Sequence, residues 1–317
     1  MSVKPCLLVL VFITEEHRAL VARHHELIYA PNNGKDRSNG AAQIAARGRD
    51  VRVVLTNGAY GLLPAEVDAM PGLELVCSLG VGYENIAVAH ARSRGIAVAN
   101  AAGANQDCVA DHAMTLLLGA ARRLPFLNAG VRNGLWRDDI ARPPQVSFKR
   151  MGIFGLGAIG QAIARRAEGF HMQIGYHSRR RREDSAYEYS GSVLELARWC
   201  DFLIVAAPGG QDTHHVIDAE VLTALGPQGV LVNIARGSLV DTDALADALQ
   251  ERRILAAALD VYEGEPAPPA RLLAFENAIL TPHIAGISPE AIDAAVGLFL
   301  KNAARHFAGE ALVTPVP

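Results

Sequence analysis

The chain has 317 residues, of which 50% are hydrophobic and 20% are charged, a balance typical of a globular protein with about two domains. Its formal net charge of −3 argues against a general role in binding nucleic acids or other polyanions. The four cysteines have no metal-ligand spacing, which favours small buried side chains in a reduced cytosol. No apolar run approaches the length of about 18 residues that a membrane helix needs, and the apolar segment after Lys4 lacks a signal-peptide cleavage site.

Apolar strands alternate with helical segments in the N-terminal part of the chain, which indicates a parallel sheet with helices on both faces. Strands are predicted there at residues 6–12, 26–29, 51–55, 73–78 and 96–99. A long helix rich in alanine and leucine is predicted at 107–124, and residues 128–150 are predicted to be irregular. This irregular segment either crosses between domains or contacts a second subunit.

A second series of apolar strands begins at residue 151. These strands are predicted at residues 151–154, 172–177, 201–207, 229–234, 255–259 and 278–280. The last helix is predicted at about 288–307, and an extended tail follows from residue 311. The sequence therefore predicts an α/β fold with two sheets of parallel strands.

The most specific motif is the hexapeptide GLGAIG at residues 155–160, because an apolar strand precedes it and a helix follows it. In this context Gly155 permits a tight turn, Gly157 lets the backbone approach a pyrophosphate, and Gly160 allows close packing of the helix. The phosphates then meet the amide groups at the N-terminus of the helix. The motif predicts a dinucleotide site, with a structural glycine turn as the alternative.

The residues after the second strand of this series bear on the choice between NAD(H) and NADP(H). An NAD site has a carboxylate there that binds the ribose hydroxyls, whereas this chain has Ser178 followed by four arginines at 179–182. A carboxylate would repel a 2′-phosphate, while hydroxyl and guanidinium groups can hydrogen-bond it. The pattern favours NADP(H), and a solvated basic loop or a nucleic-acid patch is the alternative.

Three polar residues follow strands of the second series and are predicted to share one edge of the sheet. Arg236 can bind a carboxylate through both arms of its guanidinium group, although an arginine at a strand end is more often a surface charge. Glu265 and His283 follow the next two strands. A carboxylate beside an imidazole raises the pKa of the histidine, which can then donate a proton to a carbonyl oxygen. A structural role is the alternative for His283, and it is the role expected of His24, His25, His214 and His215.

A further glycine cluster, at residues 78–82, ends a strand of the N-terminal sheet. Its backbone amides can form an anion-binding nest for a substrate carboxylate. On spacing alone, a plain glycine turn is equally consistent with this cluster.

Together these motifs resemble those of the D-isomer-specific 2-hydroxyacid dehydrogenases, and more narrowly the NADPH-dependent glyoxylate/hydroxypyruvate and hydroxyphenylpyruvate reductases. The resemblance spans essentially the whole chain. It implies reduction of a small 2-oxo acid to the D-2-hydroxy acid, with NADP(H) as cofactor and glyoxylate and hydroxypyruvate as the leading substrates. Hydroxyphenylpyruvate or phenylpyruvate reduction, an NAD-dependent family member, and a non-enzymatic cofactor-sensing protein on the same fold are the alternatives.

The resemblance also implies roles for individual residues: Arg236 binds and polarises the oxo acid, His283 is the acid/base, and Glu265 tunes His283. The substrate is expected to contact Leu79, Gly80, Val81, Gly82, Arg236 and Trp136. The cofactor is expected to contact Gly155, Leu156, Gly157, Ala158, Ile159, Ser178, Arg179, Arg180, Pro208, Thr213, Ile234, Ala235, Arg236, Asp260, His283, Ala285 and Gly286.

The architecture of the family implies two Rossmann-like domains. A discontinuous substrate domain would comprise residues 1–99 and 288–317, and the NADP-binding domain, residues 100–287, would be inserted into it. Closure of the domains would exclude water from the substrate. A homodimer is expected through the region after the long helix, where Trp136 either reaches the partner's pocket or packs in the interface. The protein is expected to be cytoplasmic, with no metal, nucleic-acid or membrane partner.

Overall fold

The computed structural model describes residues 4–33 and 36–316. The chain forms two compact units, and each is built on one sheet of parallel strands. The first unit comprises the described residues up to Asn105 and those from Gly286 onward, and the second comprises Gln106–Ala285. The predicted α/β class with two parallel sheets is therefore confirmed.

The first unit has five strands in the order β2-β1-β3-β4-β5. In chain order, its elements before residue 106 are β1 (Cys6–Val9), α1 (Glu15–Ala22), β2 (Glu26–Tyr29), α2 (Ser38–Arg47), β3 (Val51–Thr56), α3 (Pro64–Asp68), β4 (Leu75–Ser78), α4 (Val88–Ser93) and β5 (Ala97–Ala99). All residues of β1 and β4 are buried, as expected for strands that are covered by helices on both faces.

The second unit has seven strands in the order β12-β11-β10-β9-β6-β7-β8. Its elements in chain order are α5 (Gln106–Ala121), α6 (Leu124–Arg132), β6 (Arg150–Phe154), α7 (Ala158–Glu168), β7 (Gln173–His177), β8 (Glu188–Tyr189), α8 (Val193–Trp199), β9 (Phe202–Val205), α9 (Ala219–Leu225), β10 (Val230–Asn233), α10 (Thr242–Gln250), β11 (Ala256–Leu259) and β12 (Ala278–Leu280). The final helix, α11 (Pro289–Phe307), returns to the first unit.

The region after α5 differs from the sequence prediction. Residues 128–150 were expected to be irregular, but α6 continues to Arg132 and a short 3-10 helix covers Arg137–Asp139. Arg123 adopts a left-handed backbone conformation with φ of 54°, which ends α5 and lets α6 begin. No residue of α6 is buried, but Leu124, Leu127 and Val131 recur at helical spacing, so the amphipathic pattern of a helix is present in the sequence and the prediction overlooked it.

The structure also describes the four cysteines and the hydropathy of the helices. Three of the four cysteines, Cys6, Cys77 and Cys200, are buried and none forms a disulfide, as expected for small apolar side chains. In the described part of the chain, no helix has both the length and the apolar character to cross a membrane.

Candidate active site

The turns that carry the predicted catalytic residues lie at one edge of the second-unit sheet. Arg236 follows β10, Glu265 follows β11, and His283 follows β12. These three strands are parallel neighbours, so their carboxyl ends open onto the same side, where α/β sheets bind ligands. The strand order therefore brings together residues that are far apart in sequence.

His283 and Glu265 form a direct pair, with 2.7 Å between His283 Nδ1 and Glu265 Oε2. The hydrogen bond to Glu265 raises the pKa of His283 above its ordinary value, and it outweighs the lowering effects of burial and of the Arg236 charge. Burial raises the pKa of Glu265, but the hydrogen bond and charge of His283 lower it more, so this pKa lies below its ordinary value. The imidazole side chain remains 45% exposed, and it can therefore exchange a proton with a bound ligand.

The turn that carries His283 is organised by Asp260, which is only 1% exposed. The Asp260 carboxylate accepts hydrogen bonds from the Thr281 hydroxyl at 2.6 Å and from the backbone amides of Ile284 and Ala285 at 3.0 and 2.8 Å. His283 has a left-handed backbone conformation with φ of 53°, and its amide donates to the Asp260 carbonyl at 2.9 Å. These bonds fix the backbone from which the imidazole projects.

Sequence reasoning missed one member of this network, His112 on α5. Its Nε2 atom lies 3.0 Å from Thr281 Oγ1 and 3.5 Å from an oxygen of Asp260. His112 lies in an alanine- and leucine-rich helix, far from Asp260 in the sequence. Only the packing of α5 against β11 and β12 reveals the contact.

Glu265 and Arg236 are also positioned through the backbone. The amide of Tyr262 donates to the second oxygen of Glu265 at 3.0 Å. Asn233 is fully buried; its side chain donates to the Arg236 carbonyl at 2.9 Å and accepts from the Ala235 amide at 3.0 Å. A Cβ at Gly237 would lie 2.0 Å from the Tyr262 carbonyl carbon, so only glycine lets the Arg236 turn pack directly against the turn that leads to Glu265.

The glycines of the phosphate loop differ in what surrounds them. Gly155 has φ of 100° and a Cβ there would lie 2.6 Å from the Ala207 backbone, while a Cβ at Gly160 would lie 2.1 Å from the Gly155 carbonyl oxygen. At Gly157, by contrast, no atom lies within 4 Å of the Cβ position. Gly157 is the N-cap of α7 and provides no side-chain cap. The loop thus presents bare backbone at a helix N-terminus, which fits the pyrophosphate of a dinucleotide.

Leu156, Ala158 and Ile159 lie within this loop and the first turn of α7. The other predicted cofactor residues follow strands at the same edge of the sheet: Pro208 and Thr213 follow β9, Ile234 and Ala235 follow β10, and Ala285 follows β12. Gly286 comes next to Ala285 in the sequence. The Thr213 hydroxyl donates to the Pro208 carbonyl at 3.0 Å, which closes the turn after β9.

The basic turn after β7 contains arginines in two different situations. Arg182 makes a bidentate ion pair with Asp184, at 2.6 and 3.0 Å, and donates to the Leu156 carbonyl at 3.2 Å. Arg179 and Arg180 are exposed, and within the described part of the chain their guanidinium groups have no hydrogen bond or ion pair. The Ser178 hydroxyl donates to the Arg180 carbonyl at 2.7 Å. Arg182 thus connects the turn to the phosphate loop, while its neighbours remain available to a ligand.

The glycine cluster of the first unit forms a shaped loop after β4. The Ser78 hydroxyl donates to the Gly82 carbonyl at 2.7 Å, and the Asn100 side chain donates to the Val81 carbonyl at 2.8 Å. The Leu79 amide donates to Thr56 and the Gly80 carbonyl accepts from Ala101. Among the residues that the structure describes, the amides of Val81 and Gly82 have no hydrogen-bond partner. They are the groups that can bind an anion.

Two further outcomes concern residues outside this set. Trp136 is 63% exposed, and no hydrogen bond or ring contact among the described residues joins it to Arg236, Glu265 or His283. His214 and His215, expected to be structural, lie with Glu263 in a cluster whose ligand atoms are all within 4.8 Å of one another. Adjacent histidines have none of the usual metal-ligand spacings, so no local pattern predicts this cluster.

Comparison with known proteins agrees with this arrangement. The family model described as "D-isomer specific 2-hydroxyacid dehydrogenase, NAD binding domain" matches residues 114–285. The chain is 40% identical to a hydroxyphenylpyruvate reductase from Plectranthus scutellarioides over 86% of its length and 88% of that protein. It is also 40% identical to glyoxylate/hydroxypyruvate reductase A from Arabidopsis thaliana, over 84% of this chain and 85% of that one.

Among solved structures, an NADPH-dependent glyoxylate/hydroxypyruvate reductase from Sinorhizobium meliloti, in complex with NADP and malonate, is similar with a TM-score of 0.88. It is 38% identical, and the match covers 99% of this chain and 97% of that one. These similarities include both units, and the family model covers every turn of the His283, Glu265 and Arg236 site. The chain therefore belongs to the D-isomer-specific 2-hydroxyacid dehydrogenases, oxidoreductases that use a nicotinamide cofactor.

Proposed function

We propose that this protein is an NADPH-dependent reductase of small 2-oxo acids that forms the D-2-hydroxy acid, with glyoxylate and hydroxypyruvate as its leading substrates. The observation that carries the proposal is the 2.7 Å pair of His283 and Glu265, with Arg236 on the adjacent strand end. An arginine, a carboxylate and a protonated imidazole are the groups that binding and protonating a 2-oxo acid requires. Relatives named as reductases of these acids support the choice of substrates.

Each side chain has one role in this proposal. Arg236 binds the substrate carboxylate and polarises the oxo group, because its planar guanidinium matches a carboxylate. His283 donates its proton to the carbonyl oxygen, and Glu265 keeps that proton on His283 near neutral pH. In the first unit, the unpartnered amides of Val81 and Gly82 can bind an anionic group.

The cofactor would be held by residues of the second unit, and when bound it supplies the hydride. Residues 155–159 would hold its pyrophosphate, while the residues after β9, β10 and β12 would hold its nicotinamide end. Asp260 is expected there too, although its carboxylate already accepts three hydrogen bonds from the chain. We therefore expect Asp260 to contribute to cofactor binding through its backbone and through its hydrogen bonds to the turn that carries His283.

The preference for NADPH rests on the basic turn. Ser178, Arg179 and Arg180 follow β7 where NAD-dependent relatives have a carboxylate, and the two guanidinium groups have no partner in the described part of the chain. Charged hydrogen bonds to a 2′-phosphate contribute about 1.5–3 kcal/mol each. The related Sinorhizobium meliloti reductase, named as NADPH-dependent, supports this preference.

An aromatic 2-oxo acid is the second candidate substrate. The specific observation in its favour is the 40% identity to a hydroxyphenylpyruvate reductase. Leu79 and Trp136 are apolar residues of the expected substrate-binding set, and Trp136 is largely exposed. Such side chains can pack against an aromatic ring.

A homodimer belongs to the same proposal. Residues in and around α6 leave large apolar side chains exposed, namely Leu124, Val131, Trp136 and Phe148. Exposed apolar side chains in this region support the prediction that a second subunit covers it. A cytoplasmic location stays a prediction from the sequence.

Steady-state kinetics tests the function directly. Glyoxylate, hydroxypyruvate, pyruvate, phenylpyruvate and hydroxyphenylpyruvate would each be assayed with NADPH and with NADH, following absorbance at the nicotinamide band. We expect the highest kcat/KM for glyoxylate or hydroxypyruvate with NADPH. Equal values with NADH would reject the cofactor preference, and higher values with the aromatic acids would favour the second substrate. Binding of NADPH without turnover of any acid would favour a non-enzymatic, cofactor-sensing role.

A further inference from the structure

Two consecutive histidines in the second unit point their rings to the same side. A 3-10 helix covers Gln211–Thr213, and His214 follows it in an extended conformation. His215 then takes a left-handed conformation with φ of 52°. Consecutive side chains in an extended chain point to opposite sides, but here the two rings stack with their centroids 3.9 Å apart and 25° between their planes.

A carboxylate from a distant part of the chain completes this cluster. Glu263, in the turn after β11, has its Oε1 atom 2.7 Å from His215 Nε2. Its other oxygen accepts a hydrogen bond from the Thr242 hydroxyl at 2.6 Å. Hydrogen bonds at both oxygens therefore hold the Glu263 carboxylate in place beside His215.

The second nitrogen of His215 also faces a carboxylate. His215 Nδ1 lies 4.0 Å from an oxygen of Asp241, which caps α10 through its other oxygen. A histidine that binds a metal through one nitrogen usually directs its other N–H to a carboxylate or carbonyl, which fixes the ring and its tautomer. At 4.0 Å the contact is an ion-pair distance and not a hydrogen bond, so Asp241 would orient His215 in this way after a small approach of its carboxylate, leaving Nε2 on the side of Glu263.

We propose that His214, His215 and Glu263 form a binding site for a divalent transition-metal ion such as Zn²⁺. Two imidazoles and one carboxylate are a ligand set that Zn²⁺ accepts, and the exposure of His214 leaves the remaining position open to water. Zn–N and Zn–O bonds near 2.1 Å place two ligand atoms roughly 3 to 3.4 Å apart. The 2.7 Å separation of His215 and Glu263 therefore needs to open by a few tenths of an ångström, with loss of the proton between them. Ligand atoms of the cluster that lie up to 4.8 Å apart must move closer together, which requires the exposed His214 ring to rotate out of its stack on His215.

The bound ion would join two turns at the carboxyl edge of the sheet. His214 and His215 lie after β9, and Glu263 lies after β11, two positions before Glu265. None of the three ligands belongs to the proposed catalytic or cofactor set. Metal binding and turnover can therefore succeed or fail separately.

Isothermal titration calorimetry with ZnCl₂ tests the site on the full chain without an affinity tag, in buffer free of phosphate and chelators. We expect one Zn²⁺ per chain, with a Kd that rises at least tenfold in His214→Ala and in Glu263→Gln. His24→Ala is the matched control, because His24 is also an exposed histidine followed by a second histidine, but it lies outside the cluster. Its Kd should equal that of the unmodified protein.

Two further measurements separate metal ligation from damage to the fold. Asp241→Asn keeps a side chain that can cap α10 and should weaken Zn²⁺ binding by about 10- to 100-fold, the usual effect of losing a partner of a ligand histidine. Co²⁺ in place of Zn²⁺ should give visible absorption bands that His214→Ala removes, while circular dichroism shows that this variant is folded. Absence of saturable binding, or equal Kd values for His214→Ala, His24→Ala and the unmodified protein, would overturn the proposal.

Discussion

The phosphate loop and the catalytic cluster occupy the same edge of the second-unit sheet but are built in different ways. The loop is six consecutive residues that present backbone amides. The space around Gly155 and Gly160 is too small for any side chain. The cluster consists of three side chains from three turns, which the order of β10, β11 and β12 brings together. A site made of backbone is sensitive to an added methyl group, whereas a site made of side chains is sensitive to the loss of a functional side chain.

The largest effect is expected at the proton donor. His283→Ala should lower kcat/KM for 2-oxo acid reduction by about 10²- to 10⁴-fold, the usual contribution of general acid catalysis. His90→Ala is the matched control, because His90 makes a similar hydrogen bond to Asp68, at 2.8 Å, in a part of the first unit with no proposed catalytic role. Steady-state kinetics of both variants decides the matter, and near-normal turnover in His283→Ala would remove His283 from the mechanism.

Substitutions in the basic turn after β7 test whether its arginines bind the 2′-phosphate of NADPH. Replacing both Arg179 and Arg180 with Gln should raise KM for NADPH at least tenfold, because each charged contact contributes about 1.5–3 kcal/mol and about 1.4 kcal/mol corresponds to tenfold. KM for NADH should stay the same. Arg181→Gln removes one positive charge from the same turn and serves, beside the single Arg179→Gln and Arg180→Gln variants, as control for unspecific electrostatics. A similar loss with both cofactors would reject the 2′-phosphate as the partner of these arginines.

Substitution of two phosphate-loop glycines by alanine should affect different properties: stability at Gly155 and cofactor binding at Gly157. Gly155→Ala places a methyl group 2.6 Å from the Ala207 backbone at φ of 100°, which should lower the free energy of unfolding by roughly 1–3 kcal/mol. Gly157→Ala adds its methyl group in open space, so thermal stability should not change. In Gly157→Ala the added methyl group should instead hinder the approach of the cofactor pyrophosphate, so the Kd for NADPH should rise. Thermal denaturation and fluorescence titration measure the two effects, and loss of stability in Gly157→Ala would contradict this division.

The parts of the fold that could be predicted are those encoded by neighbouring residues. Buried parallel strands such as β10 are continuous apolar runs, and the prediction of a strand at 229–234 includes all of Val230–Asn233. The phosphate loop is likewise contiguous. Predicting that Arg236, Glu265 and His283 share a sheet edge needed one additional rule, that parallel strands end on the same side.

The features that sequence reasoning missed depend on contacts between distant segments or lack a local pattern. His112 meets Thr281 only because α5 packs against β12, and Glu263 meets His215 only because two turns end side by side. The two-residue strand β8 is too short to show alternation. In each case the missing information is tertiary packing, which a single sequence does not contain.

The smallest effect separates the charge of Glu265 from its geometry. Glu265→Gln keeps an oxygen that can accept from His283 but removes the negative charge, so the raised pKa of His283 should fall back toward its ordinary value. Reduction needs the protonated imidazole, and kcat/KM for the oxo acid decreases as the pH rises through this pKa. That decrease should therefore begin at lower pH in the variant, while rates well below both pKa values stay close to normal.

The reverse reaction provides the independent check, because oxidation of the hydroxy acid needs neutral His283. Its kcat/KM rises with pH through the same pKa, so this rise should also move to lower pH in Glu265→Gln and by the same amount. Asp68→Asn, which removes a carboxylate from the His90 pair, controls for overall charge and should leave both profiles in place. If activity instead falls equally at every pH, Glu265 acts only by orienting the imidazole. If both profiles move by the same amount, the charge of Glu265 sets the protonation of His283. The proton donor must be a side chain, whereas the phosphate loop can bind its ligand with backbone amides alone.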